Sequence, residues 1–292
     1  DRVANSREAL TPSVQFARIP PRDARTGCYR VQFAQRGVYE VGPLQVNTRF
    51  PLGLVQRGLN IDLLDRILVY PRLGRLTPDW RTRLRQATKL AQQKQPQGGS
   101  FDDEFHKLRD YRRGDDLRAI HWKTSARQNE LMVREFQQSR DQDLIVLLDA
   151  WAPPQPREAD LLAAERAVSI AASVAADQCQ HGRDGVPYFV AGGATQFAWG
   201  GASGAHRLEA LLDGLAVLAP GPQVELGELL DACVAHLTSR HRLLLVSSRS
   251  EDPRQLVTRW AAEQPAERGR LLRMLDVIES RKPDADHWIA WG

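Results

Sequence analysis

The sequence predicts an α/β protein in which a small N-terminal β-sandwich or barrel precedes a mostly parallel sheet flanked by helices. Three observations carry this expectation. Short stretches punctuated by Gly and Pro dominate the first 75 residues. Beyond residue 136, apolar runs such as Asp143–Asp149 alternate with segments of helical periodicity, the pattern of βαβ units. The charge divides at the same place: residues 1–135 carry 25 Lys+Arg against 15 Asp+Glu, and residues 136–292 carry 15 against 21. The organisation expected is a β-rich domain at 1–75, a helical linker with a polar segment at 76–135, and an α/β domain at 136–292.

In the first domain, Ser13 to Ile19 places Val14, Phe16 and Ala17 near one face before Pro20-Pro21 breaks it. Tyr29 to Phe33 alternates apolar and polar residues, and Arg36-Gly37 supplies a turn. Strands are expected over Val38–Thr48 and Asp65–Tyr70, between Gly42-Pro43, Pro51, Gly53, Gly58 and Pro71. From Thr77-Pro78-Asp79 the character changes to good helix formers, predicting a helix over Trp80–Gln95 that Pro96 to Ser100 ends.

The α/β part begins with Asp143–Asp149, whose unbroken apolar run predicts a strand buried on both faces. A long helix is expected over Arg157–Gln180, with Leu161, Ala164, Val168, Ala171 and Ala175 at helical spacing. Further strands are expected at Val186–Val190, Gln196–Trp199, Arg242–Ser247 and Leu271–Val277. Helices are expected at Ala205–Ala216, Glu225–Thr238 and Pro253–Glu263.

Composition excludes several classes. With 42% apolar residues and seven tryptophans the chain is neither collagenous, coiled-coil nor disordered. Cys28, Cys179 and Cys233 are odd in number and widely spaced, so neither a disulfide framework nor a zinc site is expected, and a reducing compartment fits. No run of 18 apolar residues predicts a membrane span. Starting at Asp1 without Met, the chain reads as the excised soluble part of something longer. The basic residues of the first half are interleaved with acids and are mostly Arg, so a nucleic-acid partner is not expected. A basic nucleic-acid-binding module is kept as an alternative, which requires affinity falling steeply with salt.

Two places concentrate candidate chemistry. The first is Tyr111 to Phe136, YRRGDDLRAIHWKTSARQNELMVREF. His121-Trp122-Lys123 is an H-x-K triplet, but a phospholipase D-like site needs an aspartate where Gln128 stands. Asp115, Asp116 and His121 make a candidate metal-dependent hydrolase, without a matching cluster elsewhere in the sequence. Ser125 with His121 lacks a G-x-S-x-G elbow. The reading favoured is physical: Arg112, Arg118 and Arg127 suit forked pairing with carboxylates such as Asp115 and Asp116, and Gly114 allows the turn between them. Ile120 and Trp122 would be apolar anchors. Arg112, Gly114, Asp115, Asp116, Arg118, His121, Trp122, Ser125 and Arg127 are thus expected to form an interdomain clasp or a partner-binding surface, with no catalytic residue.

The second place is Asp149, which closes the first strand of the α/β domain, where open sheets gather ligands. The arrangement resembles the von Willebrand factor A-like (Rossmann-like) fold. Its metal site runs Asp-x-Ser-x-Ser after that strand and draws a threonine from a later loop. Here Trp151 and Pro153 stand at the serine positions and offer no side-chain oxygen. Asp149, Trp151 and Pro153 are therefore expected to mark a degenerate metal site, with Thr195 an isolated match, and no metal or cofactor is expected.

Three ordered blocks carry a family resemblance. The first runs Arg109-x-Tyr111-x-x-Gly114-Asp115-Asp116-x-Arg118-x-Ile120-His121-Trp122-x-x-Ser125-Ala126-Arg127, followed by Leu131-x-Val133-Arg134-Glu135. The second is Arg36-Gly37-x-Tyr39-x-x-Gly42-Pro43. The third is Phe50-Pro51-Leu52-Gly53-Leu54, with Val69-Tyr70-Pro71 behind it. Together they resemble the bacterial domain of unknown function 58 family. The resemblance implies a pair of transmembrane helices outside this chain, a β-rich part and a von Willebrand factor A-like domain on the cytoplasmic face of the bacterial inner membrane. It also implies association with a MoxR-type AAA+ ATPase, and hence a non-enzymatic, membrane-tethered scaffold or adaptor in protein assembly or chaperone-like work.

Overall fold

The apolar run at 143–149 forms the central strand of a five-stranded sheet, with Leu144 to Leu148 buried on both faces. The computed structural model describes residues 13–49, 53–77, 80, 105–111, 120–128, 130–136, 143–181, 188–200, 206–237, 241–283, 285 and 289–291. In the N-terminal part lie β1 (Gly37–Val41), β2 (Leu44–Arg49), β3 (Gln56–Ile61), β4 (Asp65–Val69) and β5 (Arg75–Leu76). Next come β6 (Phe105–Asp110), α1 (Trp122–Gln128) and β7 (Met132–Phe136). The α/β part comprises β8 (Asp143–Asp149), α2 (Glu158–His181), β9 (Tyr188–Gly192), β10 (Gln196–Gly200) and α3 (His206–Val217). It continues through α4 (Leu226–Val234), β11 (His241–Ser247), α5 (Pro253–Glu263), α6 (Pro265–Met274), β12 (Leu275–Glu279) and β13 (Ile289–Ala290).

The large sheet has the order β10-β9-β8-β11-β12. Strands β9, β8, β11 and β12 run parallel, while β10 turns back antiparallel on β9, so the sheet is mixed. Alternation along β8 divides the core. Leu144, Val146 and Leu148 pack with Val168, Ala171 and Ala175 of α2 and Leu211 and Leu215 of α3. Ile145 and Leu147 pack on the other face with Leu229, Leu230 and Cys233 of α4, Val257 of α5 and Leu271 of α6. Each fully buried Leu or Ile contributes about 1.5–3 kcal/mol over an exposed one, so these two layers hold the α/β part together. Two parallel crossovers with helices on both faces follow from strands that are apolar throughout.

The end of the sheet corrects one expectation. Leu271 lies in helix α6, and the strand begins only at Leu275. Pro265 opens that helix at its first turn, where a missing N–H costs nothing, and buried Leu271 sits on its core-facing side. An apolar run such as Leu271–Val277 reads as a strand or as a buried helical turn with equal ease.

The β-rich part also differs from expectation. Its described residues form two-stranded ladders rather than a sandwich or barrel. Residues 13–19 and 29–33 carry no ladder, although Val14 and Phe16 take the place of a Gly27 side chain, so residues 13–19 lie against the chain at Gly27. Between 37 and 69 the chain forms one antiparallel ribbon, β1 against β4 and β2 against β3, broken where Gly42-Pro43 faces 62–64. Gly42 has φ +132 and its missing Cβ would strike the Leu63 carbonyl, so only glycine fits.

The two halves share a core. Trp80 and Ile289 join the layer beneath α2, and β13 pairs with β5 through Ile289↔Leu76. The Gly74 amide donates to Ser173 Oγ at 2.8 Å, and Tyr70 Oη donates to Asp213 Oδ1 at 2.9 Å. Buried Arg36 donates from Nη1 to Glu165 Oε2 at 2.7 Å and from Nη2 to the Leu218 carbonyl at 2.6 Å. The predicted helix over Trp80–Gln95 lies outside the described residues except for Trp80.

Candidate functional site

The carboxyl ends of β8 and β11 lie side by side, with Asp149 paired in register to Ser247. Ser247 Oγ donates to Asp149 Oδ2 at 2.8 Å, and Arg249 Nε donates to the same oxygen at 2.8 Å. The Asp149 side chain is 1% exposed and that of Arg249 is 11%. Burial pushes the Asp149 carboxyl above its ordinary range, while Arg249 and the two hydrogen bonds pull it back. The guanidinium carbon also lies 5.2 Å from the Trp151 ring centroid, a cation–π arrangement.

Backbone contacts fix the surrounding loops. The Ala150 amide donates to the Gly192 carbonyl at 2.8 Å, and the Ala194 amide donates to the Ala219 carbonyl at 2.8 Å. Gly193 runs so close to the Ala219 carbonyl that a side chain there would collide with it. Ser248 Oγ donates to the Asp149 and Trp151 carbonyls at 3.2 and 2.7 Å. A second arginine spans the far side: Arg281 donates from Nε to the Ser248 carbonyl and from Nη2 to Asp160 Oδ1, each at 2.6 Å. Five loops at one end of the sheet are thereby held by hydrogen bonds rather than left to open and close.

The donor set does not fit a hard divalent cation. Magnesium needs several oxygens in near-octahedral array. Trp151 and Pro153 supply none from their side chains, Thr195 is exposed at the β9–β10 turn, and Oδ2 of Asp149 already holds a permanent cation. The guanidinium neutralises the buried carboxylate from within. Among the described residues no group of three or more His, Cys, Asp or Glu side chains converges for a metal. A shallow hollow lined by Arg254, Gln255, Thr258 and Arg259 lies on α5 and shares no residue with this cluster.

The polar segment is placed in part. Arg112, Gly114, Asp115, Asp116 and Arg118 lie outside the described residues, so the carboxylates of the hydrolase alternative do too. The remaining four sit on one small unit. Ile120 bridges Val133, and the His121 amide donates to the Met132 carbonyl at 2.8 Å. Buried Ser125 accepts from the Met132 amide at 2.9 Å and donates to the His121 carbonyl at 3.1 Å, tying α1 to β7. His121 Nδ1 lies 2.7 Å from Thr124 Oγ1, a local helix-start contact. Arg127 is exposed in the last turn of α1. Ile120 is a buried anchor, but Trp122 is 65% exposed, which corrects its expected role as a second anchor. Among the described residues, side-chain ties between the halves include those of Arg36, Tyr70 and the Gly74 amide.

Sequence reasoning found Asp149, Trp151 and Pro153 but missed Arg249, Ser247, Arg36 and Arg281. A signal existed for the first two: Ser247-Ser248-Arg249 follows a buried strand directly, at the end where open sheets collect polar groups.

The family model described as "Protein of unknown function DUF58" matches residues 107–280, more than half of the chain. The span covers the polar segment and all of the five-stranded sheet. The chain is also similar to the "Uncharacterized protein YeaD" of Bacillus subtilis (strain 168), 28% identical over 173 residues. That alignment covers 58% of this chain and 36% of the relative's length.

Proposed function

The chain belongs to the DUF58 family, and on that premise we propose that it is a non-enzymatic scaffold or adaptor acting with a MoxR-type AAA+ ATPase. In its full-length form it would be tethered at the cytoplasmic face of the bacterial inner membrane. No helix among the described residues is long and apolar enough to cross a membrane, so the tether would lie elsewhere. The parallel β9–β8–β11–β12 core, covered by helices on both faces and ending in a central carboxylate, supports a von Willebrand factor A-like reading of the α/β part.

One observation carries the proposal: Arg249 on Asp149. A reactive site keeps a carboxylate open to metal, water or substrate. This one is spent on an internal cation, at an end of the sheet whose loops are tied together by hydrogen bonds, which suits a fixed recognition surface. Trp151 and Arg249 at the rim are the residue types that anchor protein interfaces.

The test is a binding titration of the chain against its cognate MoxR-type ATPase, with and without nucleotide. Association in the micromolar range, weakened by Trp151→Ala without loss of fold, is expected. No association with either nucleotide state at tens of micromolar would sink the proposal.

A further inference from the structure

The outer half of the ribbon is a two-stranded ladder, β2 with β3. Every residue of β2 and β3 is exposed, and among the described residues each strand has only the other as a neighbour. Their register puts Leu44↔Ile61 and Val46↔Leu59 on one face, alternating with Gln45↔Asn60 and Asn47↔Gly58 on the other. Leu44, Val46, Leu59 and Ile61 are 40–62% exposed, and Leu54 at the turn is 82% exposed. A two-stranded ribbon is marginal in water by itself, and an apolar face gains stability only when more strands or another layer meet it. Each strand also keeps an outer edge of backbone donors and acceptors, a template for strand addition.

We propose that this ribbon is a docking edge for an extended polypeptide strand, one with alternating apolar side chains and acidic residues among its polar positions. Two observations choose that occupant. Residues 42–61 contain Arg49 and Arg57 but no Asp or Glu, so an acidic strand is complementary and a second copy brings like charges together. Open backbone edges argue against a lipid surface, since hydrocarbon cannot satisfy unpaired N–H and C=O groups. Added at the edge, the strand hydrogen-bonds along β2 or β3 and sets its apolar side chains beside Leu44 and Val46 or Leu59 and Ile61. This surface is distinct from the Asp149 end of the sheet and does not depend on the scaffold proposal.

The experiment titrates the chain with a strand-length peptide alternating Val with Glu and Thr, against a peptide of the same composition in scrambled order. Amide exchange is followed at residues 44–49 and 56–61. Slowing by about tenfold or more along one strand is expected with the alternating peptide alone. Val46→Arg and Leu59→Arg should each weaken binding about tenfold or more by removing the apolar face, while Asn60→Arg on the opposite face should not. Since all three positions are exposed, an unchanged melting transition checks that the fold survives. Unchanged exchange with the alternating peptide overturns the proposal. So does protection that appears with anionic phospholipid vesicles, or with rising concentration of the chain itself, in place of the peptide.

Discussion

Arg249 Nε sits 2.8 Å from Asp149 Oδ2, so the carboxylate at the end of the central strand carries its own cation. Breaking this pair from the arginine side strands a carboxylate that is 1% exposed. Arg249→Ala should cost about 3–5 kcal/mol in urea unfolding, and Asp149→Ala a comparable amount. Because the two act as a unit, the double variant should cost clearly less than the sum of the singles, and strict additivity would refute the coupling.

The same pair predicts indifference to divalent metal. Magnesium binding only to the folded state would raise stability by mass action. With Oδ2 engaged and no hydroxyl at 151 or 153, millimolar magnesium should leave the melting midpoint of the chain where it was. A midpoint that climbs with magnesium and no longer does so in Asp149→Asn would show a working metal site.

Asp160 gives a pH dependence of defined sign. The hydrogen bond from Arg281, helped by the Arg157 amide at 2.9 Å, holds its carboxyl below the ordinary 3.8. Between the folded and the unfolded value the unfolded chain binds more protons, so stability rises with pH there. The contribution is complete above about 3.8 and disappears as pH falls through the depressed folded value. The stability difference between the chain and Asp160→Asn should therefore be flat near neutrality and shrink below pH 4. A difference that instead grows in acid would reverse the assignment.

The elements that were legible in the sequence are those whose cause is local. Asp143–Asp149 announced a doubly covered strand because no polar residue interrupts it. Pro253–Glu263 announced a helix because Pro253 stands at its first turn behind Asp252, whose side chain accepts from the Arg254 amide at 2.9 Å. Tyr29–Phe33 has the alternation of a strand yet forms none, because pattern supplies a face and not a partner. Asp149 was found by its place at a strand end, but Arg249 lies 100 residues on, and nothing local says which carboxylate a given arginine meets. Arg36 was quoted within a motif, but its burial against Leu218 comes from packing between two halves of the chain.

Thiol chemistry offers a check on the second core layer. Cys233 is buried among Leu229, Leu230 and Val257, and burial pushes its thiol up to about 12. At pH 8 its thiolate fraction is then about one part in ten thousand, and the reagent must also enter a closed core. Cys28 is exposed. A disulfide reagent should label Cys28 at once and Cys233 only at the rate of unfolding. Prompt modification of Cys233 in native buffer would mean that α4 does not close this layer.

Arg36 is the place to ask how far the N-terminal half depends on the α/β half. Its side chain is 3% exposed, while the Glu165 side chain beneath it is 43% exposed. Removing the arginine therefore leaves a carboxylate that water can reach, and the loss falls mainly on the buried Leu218 carbonyl and the space vacated. Arg36→Ala should cost about 3 kcal/mol, at the lower end of the range for a broken buried pair. Glu165→Gln should cost less than Arg36→Ala, because the hydrogen bond to Leu218 remains. Arg36→Lys keeps the charge but cannot reach both acceptors with one fork, so it should fall between them. The order Ala, Lys, Gln in decreasing cost is the test. Equal costs for Arg36→Ala and Glu165→Gln, with Arg36→Lys costing little, would place the stabilisation in the charge pair with Glu165 rather than in the forked contact that joins the two halves.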